Sequence, residues 1–79
     1  MFIQVIRIYF TNQENHSVQY FKLADYASVD AMMQAATARY HNILAADLQN
    51  ENCVYNACYM IDNAGAVLDH DVFDRRSAE

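Results

Sequence analysis

The 79-residue chain contains one glycine, Gly65, and that scarcity excludes Gly-rich phosphate cradles and nucleotide loops of every kind. Proline is absent, and no stretch reads as a linker or an internal repeat. Cysteine occurs only at Cys53 and Cys58, five apart on one expected strand, where the two side chains point to opposite faces and cannot bridge. Without a disulfide framework, a cytoplasmic location is expected. Lysine occurs once, as Lys22, and the formal net charge is −5. A chain so poor in cations lacks the electrostatic footprint of phosphate binding, which disfavours direct nucleic-acid and anionic-membrane partners. No apolar run approaches the roughly 18 residues that span a bilayer. The first residues, Met1 to Arg7, lack a basic region and a small-residue cleavage site, and they alternate as a strand does, so they are read as mature sequence rather than signal peptide.

What is present is apolar. Hydrophobic residues make up 54% of the chain, enough to exclude disorder. Residues 1–79 are read as one domain, with hairpins over 1–24 and 53–74, a helix over 28–49 and a frayed tail over 75–79. A domain this small buries only about 60% of its unfolded surface, and self-association is a common remedy.

Phe2 to Phe10 is apolar on both faces, with Phe2, Ile6, Ile8 and Phe10 opposed to Ile3, Val5 and Tyr9, as in a strand central to its sheet. Thr11 to His16 is amide-rich and reads as a loop. Ser17 to Leu23 alternates again, with Val18, Tyr20 and Lys22 on one face and Phe21 and Leu23 on the other. Ser28 offers an N-cap, and Asp30 suits the positive end of the helix dipole. From there Val29, Met32, Met33, Ala36, Tyr40, Ile43, Leu44 and Leu48 form one helical stripe expected to be buried. Cys53 to Ile61 is the third strand and Ala66 to Asp74 the fourth. Asp62-Asn63-Ala64-Gly65 makes the turn between them, with Gly65 in the left-handed conformation.

The fold class is therefore α+β: a two-layer ββαββ arrangement with a four-stranded sheet and one helix on one face. Two strand orders compete. In one, resembling β-grasp or protein G-like domains, strand one pairs in parallel with strand four. In the other, strand two lies beside strand three through a right-handed crossover. The two-sided apolarity of strand one favours the first.

Candidate chemistry is thin. In Asp69-His70-Asp71 the two carboxylates share a face and His70 points away, so no ion is held by all three. The better reading is an acidic, solvated edge strand, with His70 partly buried among apolar neighbours. No cysteine–histidine signature marks Cys53 or Cys58 as a nucleophile. No catalytic group, cofactor site or metal site is assigned.

Two surfaces remain. The outer face of the helix carries little charge; Ala35 and Ala38 permit close approach, and Arg39, His41 and Asn42 can supply hydrogen bonds, although such residues also favour helix without any partner. The sheet carries Tyr9, Tyr20, Tyr55 and Tyr59, expected to be buried partly beneath the helix and partly against another subunit. The expected function is a small non-enzymatic interaction or regulatory protein whose partner is another protein, including a second copy of itself. Two alternatives compete: an acidic inhibitor presenting Glu51, Asp62, Asp69, Asp71 and Asp74 to a basic cleft, and an enzyme with a site shared between subunits.

Overall fold

The computed structural model describes residues 1–76. The elements follow the expected order: β1 (Phe2–Phe10), β2 (Glu14–Lys22), a 3-10 turn (Leu23–Asp25), α1 (Val29–Gln49), β3 (Tyr55–Asp62) and β4 (Val67–Asp74). They build one four-stranded sheet with α1 across one face, the two-layer ββαββ fold.

The strand order is β2-β1-β3-β4 with every neighbouring pair antiparallel. Neither expected pairing occurs: β1 does not pair with β4, and β2 does not pair with β3. β1 is central, as its two apolar faces require, but its inner neighbour is β3. The reason lies in the second hairpin. β3 has consecutive buried residues from Asn56 to Cys58, so both its faces are covered, whereas β4 is exposed at every position but Phe73. Placing β3 inside and the acidic β4 at the edge satisfies both. The crossover from β2 to β3 therefore skips one strand. That skip suits a helix, because a helix about 10 Å wide covers two strand spacings of about 4.8 Å.

Ser28 caps α1 as expected, its hydroxyl accepting from the Ala31 amide at 3.1 Å. Below the helix, Met32, Ala36, Tyr40 and Ile43 pack against Ile3 and Val5 of β1, Phe21 of β2, and Cys58 and Met60 of β3. The buried stripe is shorter than expected, since Val29 and Leu48 are exposed. Asp47 takes the inward place at the C-terminal end and is only 2% exposed.

The first loop is tighter than the amide-rich sequence suggests. Glu14 already pairs with Phe10, so β2 starts three residues earlier than expected. The second turn forms as read. Gly65 has φ +88°, and the Asp62 side chain accepts from the amides of Ala64 and Ala66 at 2.9 and 3.0 Å. Just beyond it a bulge opposite Met60 and Ile61 brings Val67 into register with Ile61, shifting it from the face that strict alternation predicts. Of the tail expected to fray, Arg75 is tied down: its guanidinium donates to the carbonyls of Leu48, Asn50 and Cys53, closing the end of α1. Residues 77–79 lie outside the described residues.

Candidate interaction surface

The helix covers one side of the sheet, and the registers define what stands on the other. Across the middle runs a row Val18–Ile6–Tyr59–His70, one residue from each strand. On one side of it lies Tyr20–Gln4–Ile61–Val67, then Lys22–Phe2 at the end. On the other side lies His16–Ile8–Ala57–Val72, then Glu14–Phe10–Tyr55–Asp74. Nine of the twelve residues in the three interior rows are hydrophobic or aromatic, the others being Gln4, His16 and His70, and the acids and the lysine stand in the outermost rows. Val18, Tyr20, Val67 and Val72 are each about half exposed, while Phe2, Ile6, Ile8, Phe10, Tyr55, Tyr59 and Ile61 are partly buried by one another.

Aromatic side chains dominate the two ends. Phe2 and Tyr20 meet edge to face with centroids 5.6 Å apart, as do Phe10 and Tyr55 at 5.4 Å. Arg76 lies over both Phe10 and Tyr55 and forms an ion pair with Asp74 at 3.0 Å. That guanidinium holds the Asp74 carboxyl below its ordinary range. His70, expected to be partly buried, is exposed and stacks on Tyr59 with centroids 5.3 Å apart. Its apolar neighbours are real, but among the described residues no element covers that face.

The four expected tyrosines therefore divide. Tyr20, Tyr55 and Tyr59 share the open face, and Tyr9 stands on the helix side, where the Arg7 guanidinium sits 3.7 Å above its ring. On α1, Ala38, Arg39, His41 and Asn42 are exposed and Ala35 is partly buried. Arg39 donates to Gln19 at 3.1 Å, so it is turned toward β2. An open groove of about 440 Å³ runs along the helix, lined by Asp30, Met33, Gln34, Thr37, Ala38 and His41.

The helix side holds the polar group that periodicity alone missed. Asp47 receives two hydrogen bonds from Arg7, at 2.9 and 2.5 Å, and a third from the Asn56 side-chain amide. Asn56 in turn accepts from the Cys58 thiol at 3.2 Å. The hydrogen bond to Asp47 raises the Arg7 pKa above its ordinary value against the opposing effect of burial. Among the described residues, every buried side-chain nitrogen and oxygen has a partner. The signal was present in the sequence: Asp47 extends the spacing Ala36, Tyr40, Ile43, and Arg7 shares a strand face with Ile3 and Val5.

Burial pushes the Cys58 thiol up to about 11 and moves Cys53 in the same direction. Both are inward-facing and protonated at neutral pH, the opposite of an activated nucleophile. The acidic residues do not gather into one patch. Asp71, on the helix side of β4, accepts from the Tyr40 hydroxyl at 2.5 Å; Asp62 closes the turn; Asp74 belongs to Arg76. Comparison of the chain with protein-family models, with curated proteins and with solved structures found no match.

Proposed function

We propose that the chain is a non-enzymatic protein-interaction module that acts through the open face of its sheet and works as a homodimer. The observation that carries this reading is the uncovered apolar face spanning all four strands. Four strands about 4.8 Å apart and about 26 Å long give a face on the order of 500 Å² in projection, before side-chain relief is added. Monomeric proteins rarely leave a contiguous apolar patch above a few hundred Å², and a stable complex buries about 800 Å² on each partner. In projection the face falls short of a standard interface and matches a small one, and it has the aromatic, charge-poor centre of an interface.

The polarity of β4 supports the same reading. An edge strand of a monomeric two-layer protein carries apolar residues toward the helix and polar ones toward water. β4 departs from this, with Asp69 and Asp71 beside Phe73 on the helix side and Val67 and Val72 among His70 and Asp74 on the open side. On the helix side Asp71 accepts from the Tyr40 hydroxyl and Asp69 is exposed to solvent, which leaves the sheet face as the surface with unmet burial.

Sedimentation velocity at tens of micromolar tests the proposal. The native chain should sediment as a dimer. Ile8→Glu puts an unpaired carboxylate near the middle of the buried patch and should raise the dissociation constant at least about a hundredfold, with unchanged far-ultraviolet circular dichroism. A native chain that stays monomeric overturns the reading, as does an Ile8→Glu variant that dimerises as well as the native one.

A further inference from the structure

Resting on the open face as the binding surface, we propose that two copies stack face to face with their strands antiparallel, about a twofold axis along the row Val18–Ile6–Tyr59–His70. Two sheets related by a twofold axis between them have two aligned arrangements. An axis along the strands lays β2 over the partner's β4. An axis across the strands lays β2 over the partner's β2 and exchanges the two ends of the sheet.

Charge decides between them. On the open face Lys22 marks one end of β2 and Glu14, beside His16 of its own strand, marks the other. With the axis across the strands, Lys22 of each chain meets Glu14 of the partner subunit, and the pair forms twice. With the axis along the strands, Lys22 comes over the valine end of β4, where Val67 registers with Ile61 and the nearby Asp62 stands on the other face of the sheet. Glu14 then comes over Asp74, a carboxylate already neutralised by Arg76. The first arrangement pairs the only lysine of the chain with an acid. The second leaves it opposite an apolar corner and brings Glu14 to an acid that Arg76 already pairs.

The arrangement also fixes which residues meet themselves. Every member of the central row lies on the axis, so Val18, about half exposed at the midpoint of β2, faces Val18 of the partner subunit. Stacked sheets lie about 10 Å apart, a gap that inter-sheet disulfides of immunoglobulin domains bridge.

Val18→Cys is the direct test, since the native thiols are buried and the new one is not. Oxidation, or a short bismaleimide, should convert Val18→Cys into a covalent dimer with itself. His70→Cys should likewise cross-link to itself, and a mixture of Val18→Cys and His70→Cys chains should give the two self-linked dimers and no mixed Val18→Cys/His70→Cys dimer by mass. In parallel, Lys22→Glu should weaken the dimer roughly tenfold at low salt, and Lys22→Glu combined with Glu14→Lys should recover most of that loss. A dimer that persists in sedimentation but cross-links only in the mixed Val18→Cys and His70→Cys sample overturns the antiparallel arrangement and leaves the binding face intact. A double charge reversal that weakens the dimer further than Lys22→Glu alone also overturns it. A native chain that is monomeric removes the binding face and the arrangement together.

Discussion

Replacing Asp47 with alanine should cost the fold about 3–4 kcal/mol. The figure follows from what the carboxylate holds. It is 2% exposed and accepts three hydrogen bonds, two from Arg7 and one from Asn56. Its removal leaves the Asn56 amide, fully buried, without its acceptor, at a cost of about 1–3 kcal/mol. It also leaves the Arg7 guanidinium without a counter-ion. Arg7 retains 23% side-chain exposure, so water relieves part of that charge, and the total falls in the lower half of the range of about 3–5 kcal/mol for a broken buried pair. A chain of this length has total stability of about 4–12 kcal/mol, so the change is a large fraction of it. Urea unfolding with an unchanged m-value is the assay, carried out in the Ile8→Glu background so that association does not add to the apparent stability. The double variant Arg7→Leu/Asp47→Leu should recover part of the loss, because no charge is then stranded. A loss below about 1 kcal/mol for Asp47→Ala, or a double variant as unstable as the two single changes summed, would refute the network as a structural unit.

Two further outcomes follow from local geometry. Gly65→Ala should cost about 1 kcal/mol in urea unfolding although a Cβ there meets nothing within 4 Å, because the φ of +88° and not space is the constraint; a loss under about 0.3 kcal/mol would show the turn relaxing elsewhere. Alkaline pH should destabilise the fold over a defined window. Cys58 is raised from 9.0 to about 11, so its contribution is complete below pH 9 and disappears as pH climbs through 11, with Cys53 and Tyr40 shifted in the same direction. Melting temperature against pH should be level to pH 9 and then fall, less steeply in Cys58→Ala. A level profile to pH 11 contradicts the burial of these groups.

The elements and their faces were legible because period-two and period-3.6 patterns are local. Ser28 and Gly65 each had a single chemical role to play and played it. Strand order depends on which strand of a hairpin is covered on both faces, and β1 offered no choice between the parallel and antiparallel partner. The deciding evidence lay in β3 and β4: Asn56, Ala57 and Cys58 are buried in succession, while Asp69, Asp71 and Asp74 suit an edge. A β-grasp order would have put those three carboxylates at the centre of the sheet. Asp47 was hidden by the assumption that a buried stripe is apolar. The charge is admissible there only because Arg7 and Asn56, distant in sequence, converge on it. Val67 changed sides through a bulge, which alternation along one strand does not reveal.

The two valines on the open side of β4 join these observations. The helix packs over β1 and β3 and reaches as far as β2, so β4 lies at the margin of its cover. Asp69 and Asp71 tolerate that margin, where solvent enters and the Tyr40 hydroxyl meets Asp71. On the helix side of β4, Val67 and Val72 would have had only that partial cover, and β4 does not place them there. Its valines instead extend the apolar rows begun by β2, β1 and β3 on the opposite face. A single chain gains nothing from this choice, since it moves apolar area from a half-covered side to an uncovered one. Two chains stacked on that face gain all of it. Exchanging the pattern, with Val72→Thr and Val67→Thr together, should therefore leave the monomer's unfolding free energy in urea within about 0.5 kcal/mol while weakening self-association, because surface substitutions away from caps and buried networks change stability little. A large loss of monomer stability from that pair would mean that the open face stabilises the single chain, and the case for a second copy would fall with it.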